Sequence, residues 1–420
     1  MHRLARQLVG DEADDVVQQA FLLALQRPEH LTQPRSWLAR VVRNLITDRR
    51  RRETRRLARE DAAAATTAVP CCATATGRSG CCAPTWTRCR SPRRRGCRDA
   101  STVHAEAEGG QAIGVMHACG HDVHMTVLLG TARWFAKHRE QWQGTLVLIG
   151  QPAEERAGGA RAMVAAGLFE RFPKPAWALA LHCDPSVPAG NVGVRSGPLM
   201  AAVDSVDVTL FGRGGHGARP HLTIDPVVLA AQYVLALQTI VSREIDPTQP
   251  AVITVGSIHA GQKHNIIADR CELQLTVRSY DPAVREHLKA AIVRKAKGLA
   301  ESAGAPAPKV EFSEPTGPLL NDPGITAAAR AALVEALGEA AVGSAEPQMV
   351  AEDFGYFREQ GVPLCMFRLG TTGPEQQAQA NASGELPAQL HTARFHPDAA
   401  PTIRGGVTAL VAATRALLRR

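Results

Sequence analysis

The chain has 420 residues and a formal net charge of +8, with 45% hydrophobic and 4% aromatic residues. That length supports two or three domains with cores of their own, and no run of about 18 apolar residues marks a membrane span. Residues 1–100 hold 20 Arg against 10 Asp+Glu and residues 101–420 hold 28 Lys+Arg against 30 Asp+Glu, so the basic excess belongs to the first hundred residues and the remainder carries no footprint of a nucleic-acid binder. The opening MHRLARQLVGDEADD turns acidic where a secretory leader would need its apolar stretch, and a cytoplasmic location is expected.

Residues 1–60 read as helices. Asp11, Glu12, Asp14 and Asp15 precede VVQQAFLLAL, which puts acidic residues in a first turn ahead of an apolar-periodic run. A second run, SWLARVVRNLITDRRRR, places Trp37, Leu38, Val41, Val42, Leu45 and Ile46 at helical spacing. DEADDVVQQAFLLAL followed by QPRSWLARVVRNLITDRRRR resembles the promoter-melting helical domain of extracytoplasmic-function sigma factors. The resemblance covers about residues 1–58. That domain's first helix is largely missing, and no helix-turn-helix domain follows. Sigma activity needs both, so no nucleic-acid partner is expected.

The stretch GCCAPTWTRCRSPRRRGC closes the first hundred residues, and six of the ten cysteines lie between Cys71 and Cys97. Cys71–Cys72 and Cys81–Cys82 are adjacent pairs rather than the C-x-x-C of a zinc knuckle. A disulfide framework does not suit a cytosolic protein. A disordered basic arm is one reading of this segment.

From about residue 101 strands alternate with helices. GTLVLIG (144–150) is a short apolar run of buried-strand type, GGARAMVAAGLFE is helical, and WALAL is another strand. From AAVDSVDVTLFG the order is strand, helix (DPVVLAAQYVLALQTIVSRE), strand (AVITVGSIHA), strand (CELQLTVRSYD), helix from Pro282, and strand PKVEF. That is a ferredoxin-like β-α-β-β-α-β unit set inside a larger α/β domain. The outer domain resumes with ITAAARAALVEAL and PLCMFRLG.

Polar residues gather at strand ends, where open α/β sheets place their sites. GVMHACGHDVH offers Cys119 and His121 two positions apart, so an extended loop would point both the same way. QPAEE after GTLVLIG gives Glu154 and Glu155, ALHCD after WALAL gives His182, and AQLHTARF gives His391. Singly, each has a plain structural role: a surface histidine, a solvated glutamate patch, a small buried hydrophobe. Jointly, a thiolate, imidazoles and carboxylates suit zinc, manganese or cobalt rather than calcium.

MHACGHD, QPAEE, LALH, GRGGHGARPH, NII, AEDF and LHTARF resemble the amidohydrolase branch of the co-catalytic metallopeptidases, which includes hippurate hydrolases and indole-acetyl-amino-acid hydrolases. The resemblance runs from about residue 101 to the C-terminus. It implies an α/β zinc-peptidase-like catalytic domain with an inserted ferredoxin-like lid and dimerisation domain, following the short all-α segment. It implies two divalent ions, with Cys119 bridging and His121, Glu155, His182 and His391 as the other ligands. Glu154 would be the general base. His216 would reach a neighbouring subunit's site and stabilise the oxyanion, and Asn265 and Arg278 would hold the substrate or its carboxylate. The implied substrates are N-acyl amino acids, cut at the amide, and the implied assembly is a homodimer through the lid. The domains expected are 1–64 (sigma-like helices), 65–100 (disordered), 101–197 with 313–420 (catalytic) and 198–312 (lid).

The family carries a segment like RADMDALP just before the Cys119 motif, and its second aspartate supports metals and base. No such segment is present here. Read from the third base of the Cys82 codon with GC-rich codons, CAPTWTRCRSPRRRGCR becomes RADMDALPVTEETGLP. Residues 66–98 therefore read as family sequence in the wrong frame, with the frame restored near Ala100. The alternatives to a working amidohydrolase are a DNA-binding fragment made of residues 1–58 and an inactive fusion product.

Overall fold

A computed structural model of the protein describes residues 66–72, 104–106, 112–156 and 158–418. The helices expected over residues 1–60 and the Cys/Arg stretch at 80–97 lie outside the described residues. The chain divides between Ala64 and Ala65 into two units, and the second is the one described.

Among the described residues, the larger sheet of this unit has six strands in the order Val342–Gly343, Val192–Gly193, Leu364–Thr372, Trp177–Pro188, Thr66–Cys72, Thr145–Gln151. All neighbours are parallel except Leu364–Thr372 against Val192–Gly193. Its central strands read as unbroken apolar runs because both faces are covered. Along Trp177–Pro188, Trp177, Leu179, Leu181 and Cys183 join one core with helices His121–Lys137, Pro323–Leu337 and Ala399–Leu418. Ala178 and Ala180 point the other way, into a core with Leu168, Phe354 and Phe357. The two-residue alternation of a strand thus feeds two helical layers.

The strand Thr66–Cys72 corrects an expectation. Residues 65–100 read as disordered, yet these seven residues fill the slot between Trp177–Pro188 and Thr145–Gln151. The two flanking strands would otherwise present unpaired backbone groups inside the sheet, and TTAVPCC is apolar and β-branched enough to occupy the gap.

The inserted unit is a four-stranded antiparallel sheet in the order Ala251–Ala260, Arg270–Ser279, Ala202–Phe211, Lys309–Thr316. Chain order and sheet order together give the ferredoxin-like arrangement. Its last strand runs to Thr316, past the expected boundary at 312/313. Two helices, Pro226–Glu244 and Pro282–Ser302, cover one face. Both begin with an Asp-Pro pair. Asp225 accepts from the Val227 N–H and Asp281 from those of Ala283 and Val284, while proline occupies the first helical position, where its missing N–H costs nothing. Asp322-Pro323 starts a catalytic-domain helix in the same way. Among the described residues, Pro226–Glu244 is the one helix long and apolar enough to cross a membrane by length and composition. It packs Leu229, Ala230, Tyr233, Leu237 and Ile240 into the lid core.

Candidate metal centre

Cys119, Gly120 and His121 make the turn that starts helix His121–Lys137. Gly120 has φ 76°, and a Cβ there would lie 2.8 Å from Cys183 Sγ, so this position needs glycine on both counts. The turn aims Cys119 and His121 together at the C-terminal end of the parallel sheet. Glu154 and Glu155 stand on a short 3₁₀ turn just after strand Thr145–Gln151. His182 lies within Trp177–Pro188, in register with Arg368 on the next strand. His391 arrives from the loop before the last helix. Its backbone is left-handed at φ 59°, and its N–H donates to Ala118 O at 2.7 Å. A non-glycine residue held in that region marks local strain of the kind found at sites.

These six side chains converge. Cys119 Sγ lies 3.1 Å from His391 Nε2 and 3.5 Å from His182 Nε2. His121 Nε2 is 3.5 Å from Glu154 Oε2 and 3.7 Å from Glu155 Oε1, which is itself 3.8 Å from His391 Nε2. The donor atoms form three overlapping triads, each within 4.8 Å: Cys119–His121–His182, Cys119–Glu155–His391 and His121–Glu154–Glu155. Cys119 belongs to two of them, an arrangement that fits two cations sharing one sulfur.

The electrostatics favour a cation. Burial, with Glu155 and Glu154 beside it, pushes the Cys119 thiol well above its ordinary range. Burial raises the Glu154 carboxyl, and Glu352, Glu155 and Asp353 add to the effect. Burial lowers His121 to about 4 and His182 to about 3. Both imidazoles are therefore neutral near pH 7, the form that ligates metal. The His182 Nδ1–H donates to Cys183 O at 2.9 Å, which leaves Nε2 open toward Cys119.

Three expected residues stand on the lid, outside this cluster. His216 and Asn265 sit side by side on a two-stranded element, where strand Gly215–His216 pairs with Ile266–Ile267 and Gly217 N donates to Asn265 O at 2.9 Å. Both side chains are exposed. Arg278 is half-buried, and its Nη1 donates to Met349 O at 2.8 Å, tying the lid to the catalytic half.

Four supporting residues carried no signal as single letters. His124, in the same helix as His121, accepts from Cys183 N at 2.9 Å and so ties that helix to the strand bearing His182. Glu352, Asp353 and Arg368 are each at most 3% exposed beside the cluster. The motif AEDF contained two of them without indicating what they touch.

A doubly covered sheet with thiolate, imidazole and carboxylate donors at its C-terminal edge defines a metallohydrolase of the zinc-peptidase class. Residues 99–394 match Peptidase family M20/M25/M40, and the chain belongs to that family. Residues 1–56 match Sigma-70 region 2. The chain is 39% identical over 261 residues to Thermostable carboxypeptidase 2 of Saccharolobus solfataricus, covering 61% of this chain and 64% of that protein. It is 37% identical over 260 residues to the N-acetyl-L-cysteine deacetylase of Bacillus subtilis, covering 62% and 61%. The chain thus spans less than two thirds of the length of these two curated relatives. Its fold is similar to that of the Bacillus subtilis YXEP protein, described as a dinuclear metal binding peptidase from the M20 family, with TM-score 0.64, 27% identity and coverage of 86% and 83%.

Proposed function

We propose that residues 65–420 form a metal-dependent amidohydrolase that cleaves N-acyl amino acids, hippurate-like substrates among them, to a carboxylic acid and a free amino acid. The observation that carries this reading is the pair of donor triads sharing Cys119, with Glu154 beside them and in neither. Cys119, His121, Glu155, His182 and His391 would hold two ions of zinc, manganese or cobalt. Bound ions of this kind bring the pKa of water toward about 7 and polarise an amide carbonyl. Glu154, buried against Glu155 and Glu352, takes a proton from the attacking water and returns it to the leaving amine nitrogen. The deacetylase named among the relatives supports an N-acyl amino acid as substrate.

The lid would complete the site in a homodimer. His216 would stabilise the oxyanion in a second copy's cleft, and Asn265 and Arg278 would hold the substrate or its carboxylate. Leu222, Val227, Val228, Leu235, Ile258 and Ile266, all on the lid, are each about half exposed or more and supply apolar surface for such a contact. The test is hydrolysis of hippurate and N-acetyl amino acids by the chelated and the zinc- or manganese-loaded protein, with mass measured by light scattering. No metal-stimulated turnover on any N-acyl amino acid would overturn the reading. Residues 1–56 carry a second reading through their sigma-region match. Salt-sensitive binding to promoter DNA or core polymerase would favour it, and the amidohydrolase proposal expects none.

A further inference from the structure

The loop bearing Glu154 and Glu155 is held in shape from a distant part of the chain. It leaves strand Thr145–Gln151 and re-enters regular structure at helix Gly159–Ala165. Its path is tight. Ala153 is left-handed at φ 50°, and a Cβ at Gly159 would lie 1.6 Å from the Pro152 carbonyl oxygen. A backbone so constrained does not hold itself; strained conformations persist where their surroundings over-determine them. Asp353, at the start of the 3₁₀ turn Asp353–Gly355, supplies that constraint. Its Oδ2 accepts from Ala160 N at 2.9 Å, 193 positions away in sequence. Gly159 N donates to the same carboxylate. Its Oδ1 accepts from Gln151 Nε2. Gln151 is fully buried and Asp353 is 2% exposed, so water does not compete for these bonds.

We propose that Asp353 is a positioning residue, whose carboxylate joins the two ends of the Gln151–Ala160 loop and so sets Glu154 and Glu155 against His121 and Cys119. A plain helix cap would use the Gly159 and Ala160 amides alone. The bond to Gln151, at the opposite end of the loop, is what turns a cap into a clasp. Charge-assisted bonds of this kind are short and directional, and groups supporting metal ligands commonly set their orientation. The inference rests on the proposed roles of Glu154 and Glu155 as base and ligand.

The test uses Gln151→Met and the exchange pair Gln151→Glu with Asp353→Asn. The single variant removes the donor at the strand end of the loop and leaves the Gly159 and Ala160 amides their acceptor. The pair restores complementarity with its polarity reversed, since a glutamate at 151 accepts from the asparagine amide while the asparagine oxygen still accepts from Ala160 N. Three quantities are read: hydrogen exchange at the Gly159 and Ala160 amides in chelated protein, zinc affinity by competition with a chromophoric chelator, and kcat against KM. In Gln151→Met we expect faster exchange at both amides, zinc affinity weaker by about 10–100-fold, and a loss in kcat with KM little changed. The pair recovers most of each loss. Unchanged exchange, or faster exchange with parental zinc affinity and kcat, overturns the clasp; so does a pair no better than the single variant. Glu155→Gln is measured in parallel. If it keeps parental zinc affinity, the ligand assignment falls instead, and amide exchange alone decides the clasp.

Discussion

Cys119 Sγ and His391 Nε2 lie 3.1 Å apart although 272 positions separate them in the chain. A buried thiol facing an imidazole on one side and carboxylates on the other has little reason to persist as a structural cysteine. Cys119→Ser replaces a soft thiolate, shared by two donor triads, with a hydroxyl that does not ionise near pH 7. We expect bound zinc to fall below one equivalent after dialysis, and hydrolysis to drop on the order of 100-fold, in the range found when groups tuning a metal are lost. Metal analysis of the dialysed protein checks this. Full occupancy in the serine variant would show that sulfur is not a ligand.

Glu154→Gln keeps the shape of the side chain and removes its basicity. Because Glu154 adjoins the ligands without belonging to either Cys119 triad, metal content should stay at the parental level. The rate should fall by about 10²–10⁴-fold, the usual contribution of a general base. If metal is lost along with activity, the two glutamates have exchanged roles.

Glu154 and Glu155 were legible in the sequence because they follow a strand end, and strands of this sheet announce themselves as short apolar runs. His182 instead lies within Trp177–Pro188, and His391 comes from the loop between helices Pro374–Ser383 and Ala399–Leu418. The lid was legible for a related reason: Ala202–Phe211 alternates buried and less buried positions along its length, and Asp-Pro pairs mark where its helices start. What stayed hidden were partnerships across long sequence separations. Nothing in QPAEE says that Gln151 meets Asp353, and nothing in FRLG says that Arg368 lies beside His182. A strand at Thr66–Cys72 was hidden because its place depends on a vacancy between two other strands rather than on its own pattern.

Stability of the chelated protein should peak in mildly acidic solution. Burial lowers His121 to about 4 and His182 to about 3 from an ordinary 6.5, so below pH 6.5 the unfolded chain takes up protons that the folded one refuses, and stability falls as pH drops. Burial raises Glu352 from 4.5 to about 8 and Asp353 from 3.8 to about 6, so the folded chain keeps protons that the unfolded one has lost, and stability falls as pH rises from 4.5 toward 8. The two effects oppose each other between pH 4.5 and 6.5, the histidines decide below that window, and the carboxyls decide above it. Added zinc should stabilise more at pH 8 than at pH 5.5, because cations replace the protons. Unfolding midpoints at pH 4, 5.5 and 8, with chelator and with zinc, measure both arms. A chelated protein most stable at pH 8 would contradict the assignment.

Deleting residues 1–64 should leave amidase activity at the parental level. The division between Ala64 and Ala65 and the start of the family match at residue 99 both put the enzyme downstream of that point. Specific activity per bound metal is the measure. A large loss would make the sigma-like segment part of the enzyme.

Restoring the family reading frame should improve both stability and turnover. The family match begins at residue 99, where the frame is inferred to return. The slot between Trp177–Pro188 and Thr145–Gln151 is filled by TTAVPCC, in which Pro70 stands opposite Ile149 and has no N–H to give. A proline in an interior strand removes a ladder hydrogen bond, and a buried group left unpaired costs about 1–3 kcal/mol. A chain carrying RADMDALPVTEETGLP in place of residues 83–98, with its upstream strand in the same frame, would fill the slot with sequence suited to it. It would also regain the aspartate that the family resemblance places behind the metals and the base. Loss of such a carboxylate costs about 10–100-fold in metal affinity or activity, so the restored chain should gain by a similar factor. Both chains are expressed with manganese or zinc, and thermal unfolding and hydrolysis of hippurate and N-acetyl amino acids are compared. A higher unfolding temperature without a gain in turnover would mean that the sheet was repaired but the aspartate is dispensable. Equal stability and equal turnover would defeat the frame reading, and the cysteine- and arginine-rich segment would then need a role of its own.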